Sequence, residues 1–330
     1  MTNPHPETLT VIHKKTIQAI FIHSTGGSEA VALDKIPEAL KRDDGFLWVN
    51  IHCPAPQKAI GMVPGIPKYI ARSLSVNETR PRAEIIPEGL LLNLRCLNPN
   101  PGHEPANMVS LRFWITEKVI VSVHRKPLDF ADHLLTHVTE NTLISNSIDI
   151  LRLLLEAIIE KMSNRAIDIN EIMESLEDSP ENIHQKRKHL SEYRREIISI
   201  RRYLVPQREA LLRLPMDKLP WLNDMHKISL REAADSTARI LEDLESLRDR
   251  ANLLQEEFMN ATQEQINNKI FLLSIVAVVF MPLSFITGLL GINVGGVPGV
   301  GVSVAFWIVC LLLASLVVAE VCILKYLKWL

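Results

Sequence analysis

From Ile270 to Leu330 the chain carries only three charged side chains, Glu320, Lys325 and Lys328. Ile270 to Leu290 is uncharged and long enough for a bilayer core, which takes about 20 apolar residues in a helix. Val302 to Ala319 with its flanks provides a second such run. Helices apolar on every side and this long have no polar face to turn to water, which argues against a soluble core. Between the runs, Gly291 to Gly301 holds five glycines, one proline and no charge. The C-terminal part therefore reads as a helical hairpin in a membrane. Lys269 precedes the first span and Lys325 and Lys328 follow the second, so the positive-inside rule places both ends in the cytosol. Glu320 falls near the inner end of the second span, where it is expected to reach the interface or a lysine.

The remainder is ordinary in bulk. A formal net charge of -2 and a hydrophobic share of 47 % give no electrostatic footprint for nucleic acid. Cys53, Cys96, Cys310 and Cys322 form no C-x-x-C pair, and no disulfide framework is expected. Met1 to His13 lacks the apolar centre of a cleavable signal. Thr16–His23, Phe46–His52, Gly89–Leu97, Val109–Thr116 and Val119–His124 are short, apolar and β-branched or aromatic, separated by Pro, Gly and Asn, and predict strands of one mixed sheet. Helical periodicity begins near Leu128, with charged helices over Asn146–Leu176 and Asn182–Leu214. After Pro215 and Pro220 a last helix starts near Asn223 and meets no proline or glycine until Pro282, so it should run unbroken into the membrane. The fold class is α+β, strands first, then a long stalk helix and a two-helix transmembrane hairpin. The expected division is a domain over 1–222, a cytosolic stalk over 223–269, spans over 270–290 and 302–324, an outer, periplasmic loop over 291–301, and a basic tail over 325–330.

That last helix carries two seams. Ile240, Leu244, Leu247, Ala251, Leu254 and Phe258 recur at alternating four- and three-residue steps and demand a packing partner. On another face, the same steps connect Asp235, Arg239, Glu242, Ser246, Asp249, Leu253, Glu256, Asn260, Gln263, Asn267, Ile270, Ser274, Ala277, Met281, Ser284 and Gly288. This seam stays small or polar from the soluble part through the span. Small residues alone would fit a helix-packing face. A packing seam would not remain polar over so many turns opposite an apolar one, whereas a water-filled axis explains both halves. Two spans cannot enclose a conduit, so several copies must surround it in cyclic symmetry.

Asp129, His133 and His137 repeat every fourth residue and could offer a carboxylate and two imidazoles to zinc. No fourth ligand accompanies them, and a solvated helix face fits the pattern better than a metal site. His52 beside Cys53 would diverge in an extended segment. The basic stretch Lys186-Arg187-Lys188 with Arg194-Arg195 is interrupted by Glu192 and Glu196, as on a salt-bridged exterior. No P-loop, GxGxxG or nucleophile elbow occurs, so an ATP-driven pump or hydrolase lacks its parts and no cofactor is expected.

The run Phe280-Met281-Pro282-Leu283-Ser284-Phe285-Ile286-Thr287-Gly288, followed by Gly291-Ile292-Asn293, resembles the end of the first span in CorA-type metal ion transporters. Glu78-Thr79-Arg80-Pro81-Arg82, Leu94-Arg95-Cys96-Leu97-Asn98, Arg201-Arg202-Tyr203, Pro206-Gln207-Arg208, Leu219-Pro220-Trp221, Gly295-Gly296-Val297-Pro298-Gly299 and the terminal Lys328-Trp329-Leu330 are similar to the ZntB branch of that family. The resemblance implies a funnel-shaped homopentamer in a bacterial inner membrane, both termini cytoplasmic, its partners being other copies, the bilayer and divalent metal ions, zinc above all. It also implies proton-coupled uptake. By this resemblance Gly291, Ile292 and Asn293 form the selectivity loop, and amides of Asn293 hold a hydrated ion in the outer mouth. Gly291 permits the turn. Gly288, Ser284, Met281, Ala277, Ser274, Ile270, Asn267, Gln263, Asn260 and Glu256 line the pore, narrowest at Ser284 with Met281 and at Ile270 with Asn267. Ile292 departs from the family's Gly-Met-Asn, and the loop has no carboxylate, both of which weaken the transfer of magnesium specificity; a magnesium, cobalt or nickel channel on the same scaffold is the alternative transporter. A membrane-anchored sensor or scaffold is the alternative outside transport.

Overall fold

The computed structural model describes residues 16–76, 80–98, 108–128, 134, 144–179, 182–216, 219–292, 297, 299 and 301–327. The chain divides into two units, Met1–Gln255 and Glu256–Leu330.

The first unit is built on the five strands the apolar segments predict, joined by two they do not, Ser28–Ala30 and Arg82–Ile86. β1 (Ile17–His23), β2 (Ser28–Ala30), β3 (Gly45–His52), β4 (Arg82–Ile86), β5 (Gly89–Cys96), β6 (Val109–Ile115) and β7 (Val119–His124) form one sheet in the order β2-β1-β3-β7-β6-β5-β4. Only β3 and β7 pair in parallel, with Leu47 opposite Val119 and His52 opposite His124, so the sheet is mixed as expected. Every residue of β5, β6 and β7 is buried, the mark of a sheet covered on both faces. On one face Leu47, Val49, Ile51, Val119, Val121 and Val123 pack with residues of three short helices, α1 (Ile36–Ala39), α2 (Pro56–Gly61) and α3 (Lys68–Ser75). Where β1 passes the start of β3, a Cβ on Gly45 would stand 2.1 Å from the Ile22 carbonyl oxygen, so only glycine fits.

The other face carries polar groups that satisfy one another. Trp48 Nε1 donates to Ser122 Oγ at 3.0 Å, and that hydroxyl donates to Asn50 Oδ1 at 2.8 Å. Gln207 Oε1, on a helix over this face, accepts from the Arg95 backbone N–H at 2.8 Å. That helix is α5 (Ile183–Arg213), preceded by α4 (Ser147–Asp178). Asn146 begins α4 with a capping box, its side chain accepting from the Asp149 N–H while the Asp149 carboxylate accepts from the Asn146 N–H. Asn182 caps α5 in the same manner by accepting from the His184 N–H.

The long helix α6 (Asp224–Leu290) follows, unbroken through Pro282 as expected. Its apolar seam finds the required cover: Leu244 and Ala251 are essentially inaccessible, and Ile240, Leu247, Leu254 and Phe258 are buried. In the first unit α4, α5 and the early turns of α6 are joined by polar contacts as well. Glu196 receives both Arg165 Nε at 2.7 Å and Nη2 at 2.8 Å, Arg201 pairs with Glu245 at 3.1 Å, and Arg250 reaches Glu177 at 2.7 Å and Glu174 at 3.4 Å.

The second unit holds the end of α6 and α7 (Ala305–Tyr326). Val302 to Val304 form turns, so the helix begins later than the apolar run and ends at Tyr326. Both helices pass as membrane spans in length and hydropathy, and their apolar windows are 0 % and 6 % buried, unlike core helices. Glu320 lies on the half-buried side of the second helix. Its carboxylate makes no pair with Lys325, and Oε2 is enclosed without a hydrogen-bond partner among the described residues. Five residues along a helix is about 140° of rotation, which carries the lysine to another side.

Candidate functional site

A membrane span has no water to hydrate a passing ion, so polar atoms on its surface and the face they occupy decide what it can do. On α6 the seam from Asp235 to Gly288 is exposed at every position, including Glu256, Asn260, Gln263, Asn267, Ile270, Ser274, Ala277, Met281 and Ser284. Within the span Ile275, Val279, Pro282, Leu283 and Ile286 are half-buried instead. At 100° per residue their face lies about 160° from the seam. In the second unit α7 likewise half-buries one stripe, through Val309, Leu313, Leu316 and Val317. The hairpin thus uses one side of α6 and leaves the polar side open.

The hydrogen bonding of that open side suits it to cations. On the seam Ser274 Oγ donates to the Ile270 carbonyl at 2.9 Å, and about 100° round the helix Thr287 Oγ1 donates to the Leu283 carbonyl at 2.9 Å. With the hydroxyl protons spent on the helix backbone, the oxygens present lone pairs outward. Gln263 Nε2 donates to Asn267 Oδ1 at 3.0 Å, holding two amides in one row. A Cβ on Gly288 would meet nothing within 4 Å, so nothing inside one chain demands glycine there. At the helix end the Gly291 N–H donates to the Thr287 carbonyl at 3.0 Å, and a Cβ on Gly291 would come within 3.1 Å of that same oxygen. Gly291 therefore closes the helix by close approach. Ile292 is half-exposed at 51 %, and Asn293 lies outside the described residues.

Asp129, His133 and His137 also lie outside the described residues, among which no group of three or more metal-ligating side chains occurs. The register of β3 with β7 instead stacks His52 on His124, ring centroids 5.0 Å apart, a juxtaposition no sequence spacing indicates. The basic stretch on α5 is partly engaged within the bundle, Lys186 donating to the Glu177 carbonyl at 3.1 Å and Arg194 to Gln255.

Two unburied apolar helices separated by a short stretch, the first continuous in sequence with a helix of an α+β domain, define a two-span membrane protein whose first span exposes the small or polar stripe Ser274, Ala277, Ser284 and Gly288 beside Ile270 and Met281. The chain belongs to the CorA-like Mg2+ transporter family, whose model matches residues 43–325. It is 31 % identical over 321 residues to the zinc transport protein ZntB of Pectobacterium atrosepticum, covering 96 % of this chain and 97 % of that protein. Its fold is similar to that of the full-length CmaX protein, with a TM-score of 0.79 and 29 % identity over 95 % of this chain and 98 % of that one. The CorA magnesium transporter of Methanocaldococcus jannaschii has the same fold, with a TM-score of 0.79 at 15 % identity over 96 % and 99 % of the two chains.

Proposed function

We propose that the chain carries divalent metal ions, zinc foremost, across a bacterial inner membrane through a pore lined by α6 from five copies in a ring. The observation that carries this reading is the polar seam, open at every position and facing away from the half-buried side of the hairpin. A lone chain gains nothing from such a stripe in lipid, whereas around a shared axis it gives a wet path. In this reading Gly288, Ser284, Met281, Ala277, Ser274 and Ile270 line the membrane part and Asn267, Gln263, Asn260 and Glu256 the cytosolic part. Residues 1–222 form the cytosolic domain and 223–269 the stalk. Spans 270–290 and 302–324 leave the outer loop 291–301 outside and the tail 325–330 inside, as the lysine positions favour.

Gly291, Ile292 and Asn293 form the selectivity loop. A ring of Asn293 amides offers oxygens that orient the water of a hard cation yet release it, as conduction requires. An inward-negative potential of 100 mV supplies about 4.6 kcal/mol to a divalent ion, twice the single-charge value. Zinc is favoured by the ZntB relatives, which match nearly the whole chain. Proton coupling follows from the likeness to that branch, while the family model names magnesium and supports a voltage-driven magnesium path as second reading. Asn293→Ala is expected to reduce zinc flux into proteoliposomes to background while the oligomer, sized by mass photometry, persists. Wild-type flux in that variant would refute the loop's role.

A further inference from the structure

An ionisable side chain inside a membrane span is costly to keep, and it ordinarily pairs with another group or lines a wet cavity. Glu320 does neither within this chain. It continues the half-buried stripe of α7 through Val309, Leu313, Leu316 and Val317 towards buried Leu324. Its Oε2 is enclosed and has no hydrogen-bond partner among the described residues. It lies six residues before the end of α7 at Tyr326, about 9 Å along the helix.

The surroundings supply no counter-charge. On α7 itself Cys322 and Lys325 are exposed, and Cys310 is half-buried nearly three turns away. On α6, the other helix of this unit, no residue from Ile270 to Leu290 titrates, and its half-buried side is Ile275, Val279, Leu283 and Ile286. Glu264 and Lys269 precede that span and are exposed. A carboxyl placed like this can remain packed while it holds a proton, and to lose the proton it must meet water or a cation. Its charge state is thereby linked to its surroundings.

Coupling a proton to transport requires a group that alternates between two protonation states. After Ile270 the titratable side chains are Cys310, Glu320, Cys322, Lys325, Tyr326 and Lys328. Ordinary thiols, phenols and ammonium groups hold their protons through the neutral range, which leaves the one carboxyl. We infer that Glu320 is the group that binds and releases the coupled proton. The inference rests on the proton-coupled reading above. In each cycle a hydronium gives its proton to the carboxylate and leaves water behind; the acid then returns the proton to cytosolic water, and the carboxylate is regenerated. Its place near the inner end of the second span suits release on that side.

The test uses full-length protein in proteoliposomes holding a zinc-sensitive dye, and its readout is the ratio of zinc uptake with an inward proton gradient to uptake without one. The ratio should exceed one for the native chain, fall to about one in Glu320→Gln, which keeps the shape without the titration, and recover at least in part in Glu320→Asp. A native ratio in Glu320→Gln overturns the inference and leaves proton coupling standing. A ratio of one, or no uptake, in vesicles shown to contain the native protein overturns both. Where Glu320→Gln carries no zinc, labelling of the native protein decides. Dicyclohexylcarbodiimide adds across the O–H of a carboxylic acid in apolar surroundings and spares a hydrated carboxylate. Peptide mass spectrometry should find the adduct on Glu320, with a yield that falls several-fold as the buffer is made alkaline. An unlabelled Glu320, or a yield that ignores pH, overturns the inference.

Discussion

His124 shows how burial sets the chemistry of a single residue. Its Nδ1–H donates to the Lys126 carbonyl at 2.8 Å, and its Nε2 is enclosed without a hydrogen-bond partner among the described residues. Burial, with the neighbouring His52 adding to it, pushes its pKa down to about 4. Between pH 6.5 and about 4 the unfolded chain takes up a proton that the folded chain refuses. Stability conferred by neutral His124 is thus complete above pH 6.5 and falls as pH drops towards 4, by up to about 1.4 kcal/mol per pH unit. His124→Asn keeps a donor for the Lys126 carbonyl and removes the titration. Its melting temperature should vary less than that of the native chain between pH 6.5 and 4.5, and an equally steep decline would show that the slope arises elsewhere. None of this is legible in the sequence, because the stacking of His52 on His124 depends on β3 and β7 being parallel neighbours in one particular register.

The seams of α6 were, by contrast, open to reading, because a helix repeats its faces every few residues and no Pro or Gly interrupts the pattern before Pro282. Leu244 lies on the buried seam at 1 % exposure, two residues from exposed Glu242. Leu244→Ala should cost about 3 kcal/mol through lost burial and a cavity, lowering Tm by roughly 6 to 12 °C for a unit of this size. Glu242→Ala should shift it little. Equal effects in a thermal melt would mean that the two faces are not distinguished by packing. The strands were legible for the same reason, since β3, β5, β6 and β7 are long apolar runs. β2 and β4 were not: three residues, Ser28–Ala30, set no period, and Arg82–Ile86 at the sheet edge mixes charge with apolar residues on both sides. The short helices α1 to α3 were missed because four to eight residues hold too few turns to repeat a pattern.

Along the whole of α6, the seam from Asp235 to Gly288 is exposed at every position. Its apolar seam is buried, and on another face the exposed seam from Asp235 to Gly288 is polar before the span, apart from Leu253, and within it mixes Ser274, Ser284 and Gly288 with Ile270, Ala277 and Met281. The periodicity of the seam was legible, but in the proposed ring its partners would not be, since they would belong to other copies. Among the described residues nothing lies within 4 Å of a Cβ placed on Gly288, so none of them requires glycine there. In the function proposed above, this seam conducts divalent ions, zinc above magnesium, with protons coupled to uptake. Purified full-length protein in proteoliposomes, loaded with a zinc-sensitive dye and given an inward proton gradient, tests it directly. The account predicts zinc uptake that the gradient accelerates and that exceeds magnesium uptake under the same conditions; an absence of zinc flux in vesicles shown to contain the assembled protein would contradict it.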